Sequence, residues 1–339
     1  MRIALDALGG DHGPRPNVLG AVGVLAQVPD LSVVLVGDRV QIEAELAKLP
    51  GYPTDRLEIV HCTEAIGMDD KPAEALRKKP DNSISRCWQL LATKKVDGLV
   101  SAGNTGAVVG AGLFTRKFLK GIRKPGIATV MPTITGGKCV ILDVGANVFP
   151  KPSHLLHYGV MGGAFAKQML NIEKPRIGLM NVGEEEGKGH ELVQKTYDLF
   201  RKGPFADRFV GNVEGRDVHK GTVDVIVTDG FVGNVLWKHA EGMFDFMVRT
   251  IHGAVIEKLN VEKELGNQLL QKLVAKFHYS SAGGAPLLGV DGICIICHGS
   301  SDEKAIGNAL GLAAQQARVK LNEKIVEELA AMPTLADEE

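Results

Sequence analysis

Short runs of Val, Ile and Leu alternate along this chain with stretches in which apolar residues recur every three or four positions. The runs Ile3–Leu5, Ser32–Val36, Leu57–His61, Gly98–Ser101, Ile127–Met131, Cys139–Leu142, Ile177–Met180, Val223–Thr228 and Ile293–Cys297 are read as strands. Pro14–Ala26, Ile42–Leu49, Ser83–Lys94, Thr105–Lys117, Ser153–Leu170 and His190–Arg201 are read as helices. Near-continuous apolar strands mark a sheet buried on both faces, and regular alternation with helices makes that sheet mainly parallel. The pattern predicts a single α/β domain over residues 1–339, built as a three-layer α/β/α sandwich.

One segment departs from the rhythm. From Leu236 to Phe277 there is no strand signal, only two amphipathic patterns. The first is Leu236, Ala240, Met243, Met247, Ile251 and Ala254; the second is Leu265, Leu269, Leu273 and Phe277. They predict a helical hairpin over residues 236–280 that projects from the sandwich. Asp302–Ala331 reads as one long closing helix, with Ser301 as its N-cap.

Composition narrows the function. A net charge of −1 argues against general nucleic-acid binding. The five cysteines (Cys62, Cys87, Cys139, Cys294, Cys297) are odd in number, and four lie in or beside apolar runs, as reduced thiols do. The N-terminus has no secretory pattern and no run of 18 apolar residues exists, so a cytoplasmic enzyme is expected.

The glycine-rich segments fall at the carboxyl ends of strands, where open α/β sheets bind ligands. Asp6, Gly9, Gly10 and Asp11 follow the first strand; Asn104, Thr105 and Gly106 open a helix after another. Asp143–Asn147 and Asp229–Asn234, with Gly233, repeat the arrangement. Glycine lets backbone N–H groups approach an anion, and a helix N-terminus adds favourable partial charge. Asn181 and Lys188 lie in a further loop, Asn181–His190, just before a helix, where the helix dipole disfavours a lysine. Holding a phosphate or an oxyanion would explain Lys188; a solvated lysine paired with Glu184–Glu186 is the alternative. His298 reads either as an acid/base group or as a satisfied histidine. Arg116, Lys117, Lys120, Arg123 and Lys124 fall within nine positions without an acid: a solvated surface, or a landing site for an acidic protein.

Other motifs fail. Gly110-Ala111-Gly112 lacks the third glycine of a dinucleotide fingerprint, and Gly183–Gly189 only imitates a P-loop. No G-x-S-x-G elbow exists. Cys294-Ile295-Ile296-Cys297-His298 has the spacing of a haem attachment, but in an apolar strand.

Taken in order, ALDALGGDHGP, MDDKPAEALRKKPDNS, SAGNTGA, DVGAN, NVGEEEGKG, VTDGFVGNV and GGAPLLGVDG with HGSS resemble the acyl-carrier-protein:phosphate acyltransferases (PlsX) over roughly residues 1–330. Leu8 and Trp237 depart from that pattern without touching a polar group. The resemblance implies a Rossmann-like sandwich similar to phosphotransacetylases and isopropylmalate dehydrogenases. It implies transfer of a long-chain acyl group from acyl carrier protein to inorganic phosphate, giving acyl phosphate for phospholipid synthesis. It also implies a homodimer associated peripherally with the membrane, with a membrane glycerol-3-phosphate acyltransferase downstream. No metal, nicotinamide or other cofactor is expected.

For that chemistry the expected catalytic residues are Lys188, Asn234, His298 and Asp229. Asp6, Gly9, Gly10, Asp11, Asn104, Thr105, Gly106, Asp143, Asn147, Asn181 and Gly233 are expected to bind phosphate or substrate. Phe246, Ile251, Val255 and Ile256 are expected at the dimer interface or in lipid, with Val248 beside them. Asn104, Lys188 and Asn234 are expected to line one cleft.

Overall fold

A computed structural model describes residues 1–203, 205–277 and 283–332, with the side chains of 275–277 outside that description. Eleven strands form one sheet: β1 (Arg2–Asp6), β2 (Ser32–Gly37), β3 (Leu57–His61), β4 (Gly98–Ser101), β5 (Gly126–Pro132), β6 (Lys138–Leu142), β7 (Ile177–Met180), β8 (Phe209–Val213), β9 (Val225–Val227), β10 (Ala285–Leu288) and β11 (Ile293–Ile296). The helices are α1 (Pro14–Gln27), α2 (Arg39–Leu46), α3 (Pro72–Lys78), α4 (Ser83–Ala92), α5 (Thr105–Thr115), α6 (Pro152–Leu170), α7 (Glu191–Lys202), α8 (Gly230–Ala254), α9 (Lys263–Phe277), α10 (Glu303–Arg318) and α11 (Leu321–Ala330).

The strand order is β3-β2-β1-β4-β11-β10-β5-β6-β9-β7-β8. Pairing is parallel within β3-β2-β1-β4-β11 and within β6-β9-β7-β8. Between these blocks, β10 is antiparallel to both β11 and β5, and β5 to β6. The mainly parallel sandwich is therefore observed, with an antiparallel seam that reverses the second block.

Alternation along the strands builds the layers. Cys294 and Ile296 join one core with Trp88 (α4), Val108 (α5), Ile127, Ile226 and the foot of α8 at Leu236 and Trp237. Ile293 and Ile295 face away, towards Leu25 (α1) and Leu310 (α10). Tyr158 and Phe165 (α6), Phe200 (α7) and Ile325 (α11) cover Val140 and Val225. Strands with both sides buried need no polar face, hence their continuous apolar runs.

Three elements escape the sequence pattern. β8 carries Gly211 at φ 97 and a register shift, and β10 has only four residues, one of them proline. α3 has seven residues and buries only Ala75. The closing helix is two helices, because Lys320 sits at φ 53 between α10 and α11. Its N-cap is Asp302, which accepts from Ala305 N–H at 2.8 Å, and not Ser301.

The hairpin is observed as α8 and α9; residues 278–280 of the expected span lie outside the described residues. Ile256 corrects the reading of its tip. It is buried at the turn against Gly266 and faces neither lipid nor a partner. Phe246 and Val255 are exposed, while Ile251 and Val248 are half-buried.

Candidate active site

Two sets of strand ends carry the glycine-rich loops. β1, β4 and β11 are neighbours, and Asp6, the Asn104 loop and His298 follow them. β6, β9 and β7 are neighbours, and Asp143, Asp229 and Asn181 follow those. Through the register, Leu142 on β6 shares a cross-strand row with Ala128, Pro286, Ile295 and Val100 on β4. Four strand spacings make that separation about 19 Å. The second block runs the opposite way, so the two sets of loops leave the row in opposite senses. Accumulated twist of about 80–100° over those spacings keeps them from being the two edges of one flat plane. α5 and the foot of α8 nevertheless share one face and one core.

In the first set, Asp6 is fully buried. Its carboxylate accepts from Gly9 N–H at 3.0 Å, Leu8 N–H at 3.3 Å and Ser101 Oγ at 2.7 Å. Burial pushes this carboxyl above its ordinary range, while hydrogen bonds from Ser83, Ser101, Leu8 and Gly9 oppose the shift. Gly9 is required here, since a Cβ would lie 2.5 Å from Asp6 Oδ2. The Asn104 amide donates to the carbonyls of Met68 and Asp70 at 2.9 and 3.0 Å, and its oxygen caps Ala107 N–H. Asn104 therefore fastens the 67–70 loop to α5. Thr105 and Gly106 are exposed, and their N–H groups have no partner among the described residues. Gly10 takes φ 98, and Asp11 N–H bonds Gly299 O at 2.8 Å, tying this loop to His298. His298 is exposed; its Nδ1 accepts from Ser300 N–H at 3.2 Å, which leaves the ring proton on Nε2.

In the second set, Asp143 is the buried organiser. It accepts from the N–H groups of Ile127, Gly145, Ala146 and Asn147 at 2.7–3.0 Å. Burial raises this carboxyl too, against those four bonds. Asn147 donates to Pro125 O and Tyr158 Oη. Asp229 caps α8 through Phe231 and Val232 N–H, while Gly230 N–H bonds Asn147 O. The N–H groups of this loop and of the first α8 turn are thus already used. Asn234 is exposed and donates to Val144 O at 3.0 Å; Gly233 sits so close to Asp143 O that no side chain would fit.

The lysine loop is pinned from inside. Asn181 donates to Lys188 O at 3.0 Å, and Gln194 Nε2 donates to the carbonyls of Gly187 and Gly189 at 2.9 and 3.0 Å. Asn212 holds Glu185 O. With three successive carbonyls turned inward, the Lys188 side chain is presented outward, 53% exposed. Glu184 is engaged by Arg216 and Glu186 by Arg201, leaving, among the described residues, only Glu185 at 4.0 Å from Lys188 Nζ. Gln194, Asn212 and Tyr158 were not singled out in the sequence. A polar residue in the first turn of a helix after such a loop, as Gln194 is, was the available signal.

Asn104, Lys188 and Asn234 are not drawn from one set of strand ends. Lys188 and Asn234 belong to the β6-β9-β7 set, while Asn104 lies across the seam with its polar atoms spent. The oxygens of Glu184, Glu214 and Asp217 lie within 4.8 Å of one another, but Arg216 and Lys220 already neutralise them. All five cysteines are free and buried; burial pushes Cys62, Cys139 and Cys297 up to about 12, so none is poised as a nucleophile.

The chain is 45% identical to a phosphate acyltransferase of Dictyoglomus turgidum, covering 97% of this chain and 98% of that one. It is equally 45% identical to a phosphate acyltransferase of Nitratidesulfovibrio vulgaris over 97% and 95%. Among solved structures, a phosphotransacetylase of Streptococcus pyogenes superposes with a TM-score of 0.63 at 19% identity, covering 94% of both chains. The EutD phosphotransacetylase of Staphylococcus aureus gives 0.59 at 16%. These two likenesses show the fold. The model of the fatty acid synthesis protein family matches residues 1–324, and the chain belongs to that family of phosphate acyltransferases.

Proposed function

We propose that this enzyme moves a long-chain acyl group from acyl carrier protein to inorganic phosphate and releases acyl phosphate for phospholipid synthesis. A phosphate oxygen attacks the thioester carbonyl, the carbon–sulfur bond breaks, and the phosphate proton ends on the carrier thiol. The observation that carries the reading is Lys188, a lightly paired cation held outward by a pinned loop that follows β7, the strand next to the one that leads to Asn234. Lys188 and Asn234 hold the anion or the tetrahedral oxyanion. Across the seam, the open N–H groups of Thr105 and Gly106 and the exposed His298 are not needed for that step, in which the proton of the attacking phosphate passes to the departing thiolate. Asp6, Asp143, Asn147, Asn181 and Asp229 act through the loops they hold.

The hairpin supports a dimer. Leu265, Leu269 and Leu273 form an exposed stripe on α9, and Met243 and Phe246 are exposed on α8. A second copy covers such a stripe in a four-helix bundle. Val255 and Val261 at the turn are the residues suited to a membrane surface, beside the downstream membrane glycerol-3-phosphate acyltransferase. Among the described residues no helix is long and apolar enough to cross a membrane.

The test is phosphate-dependent release of free thiol from palmitoyl carrier protein, run against acetyl-CoA. Release from the carrier thioester supports the reading. Turnover of acetyl-CoA alone would make the enzyme a short-chain phosphotransacetylase instead.

A further inference from the structure

A strongly basic face lies next to the second set of loops. Arg116, Lys117, Lys120 and Arg123 are exposed, and Lys124 is half-buried. Lys117, Lys120 and Lys124 make no ion pair among the described residues. Because the chain as a whole carries −1, its remainder is net acidic and this concentration of positive charge is local. The segment is fixed by Leu119 N–H on Gly289 O and by an isolated bridge from Phe118 to Val290. It ends at Pro125, whose carbonyl holds Asn147 of the Asp143 loop. Lys151 borders the same face. His154, buried beneath, is pushed down to about 4 by burial and then by His157, Lys124, Lys151 and Arg123. That histidine senses a positive field.

Exposed aromatic side chains sit on the elements that adjoin the basic segment. Phe149 is 94% exposed, two residues after Asn147, and Phe231 is exposed in the α8 turn that bonds Asn147 O. Phe114 is exposed on the last turn of α5, just before Arg116. A partner that pairs its acids with the lysines thus meets exposed rings on the Asn147 loop and on the first turn of α8, the helix that carries Asn234.

We infer that Arg116–Lys124 is the docking face for an acidic carrier protein, which delivers its thioester arm past Phe149 and Phe231. This inference rests on the acyl-transfer reading above. An anionic membrane is the other surface that basic residues attract. The geometry favours the protein: α8 runs 25 residues from the loop end to the hairpin turn, about 37 Å at 1.5 Å per residue. The hairpin's apolar turn and the basic face therefore lie at opposite ends of that helix. A molecule resting on lipid by the hairpin keeps this face in solvent. Charge complementarity of this kind acts mainly on encounter and falls with salt.

The test uses the full-length enzyme with Lys117→Glu, Lys120→Glu and Lys124→Glu combined, and Lys120→Glu alone as a milder variant should the triple variant fold poorly. Substrates are palmitoyl carrier protein and the carrier-free donor palmitoyl-CoA. Binding of labelled carrier protein is read by fluorescence anisotropy, independently of turnover. The expected result is a rise of about tenfold or more in the KM and Kd for carrier protein. The salt dependence of wild-type kcat/KM is expected to vanish, with the KM for phosphate and the palmitoyl-CoA rate unchanged. Unchanged carrier binding overturns the proposal, as does an equal loss on both donors. Loss of binding to phosphatidylglycerol vesicles with carrier affinity intact assigns the face to lipid and also overturns it. If wild-type enzyme binds carrier protein through these lysines yet transfers no acyl group to phosphate, the acyl-transfer reading fails and the docking face stands.

Discussion

The two sets of strand-end loops are built alike and finished differently. Each turns on a buried aspartate, Asp6 or Asp143, that gathers the backbone N–H groups of a glycine-rich loop. In the β1-β4-β11 set the conspicuous amide, Asn104, is consumed by holding the 67–70 loop, and the open groups are the N–H donors of Thr105 and Gly106. In the β6-β9-β7 set the N–H donors of α8 are closed, and the exposed groups are the side chains of Lys188 and Asn234. The same motif chemistry thus leaves backbone donors open in one place and side chains exposed in the other. Which one applies is decided by where the remaining hydrogen bonds go.

Removing an organiser should have the largest effect. Asp143→Ala strands four backbone donors next to the seam and should lower stability by about 4 kcal/mol, read by urea unfolding. A loss under about 1 kcal/mol would mean that water replaces the carboxylate. Lys188→Ala comes next. Turnover should fall on the order of 10²–10³-fold, about 3–4 kcal/mol of barrier, at unchanged thermal midpoint. Retention of most activity in the folded variant removes Lys188 from the chemistry.

Asn104→Ala is the matched opposite. It should cost about 2 kcal/mol of stability through the lost cap and orphaned carbonyls, with the turnover of folded molecules reduced far less than for Lys188→Ala. A variant of normal stability and abolished turnover would place Asn104 in the chemistry and undo the comparison.

The smallest effect belongs to His154, whose folded-state pKa lies below its ordinary value of 6.5, at about 4. A depressed histidine favours folding while neutral. Its contribution is present above about pH 6.5 and lost as pH falls towards 4. Between those limits wild type should lose on the order of 1–2 kcal/mol more than His154→Gln. Parallel pH profiles would show that the histidine is not shielded.

The strand-and-helix rhythm was legible because both faces of the sheet are buried, so Val33–Val36 or Val225–Val227 carry no polar residue to blur the run. β8 and β10 were not legible: Gly211 and Pro286 break the local signal, and tertiary pairing supplies what propensity does not. The seam was not legible either, since the direction of β5 and β10 follows from pairing across more than 150 residues of chain. That reversal is why four similar loops divide into two sets. Ile256 was misread for a related reason: amphipathic periodicity locates an apolar stripe, but whether a residue at a turn folds inward depends on the small Gly266 opposite it.

Phosphate as the acyl acceptor is the claim on which everything else depends. The most direct measurement mixes purified enzyme with palmitoyl carrier protein and oxygen-18-labelled phosphate and examines the products by mass spectrometry. Palmitoyl phosphate carrying all four labelled oxygens, formed by wild type and suppressed in Lys188→Ala, is the predicted result. Unlabelled palmitic acid appearing at the same rate without phosphate would make the enzyme a thioesterase and contradict the account.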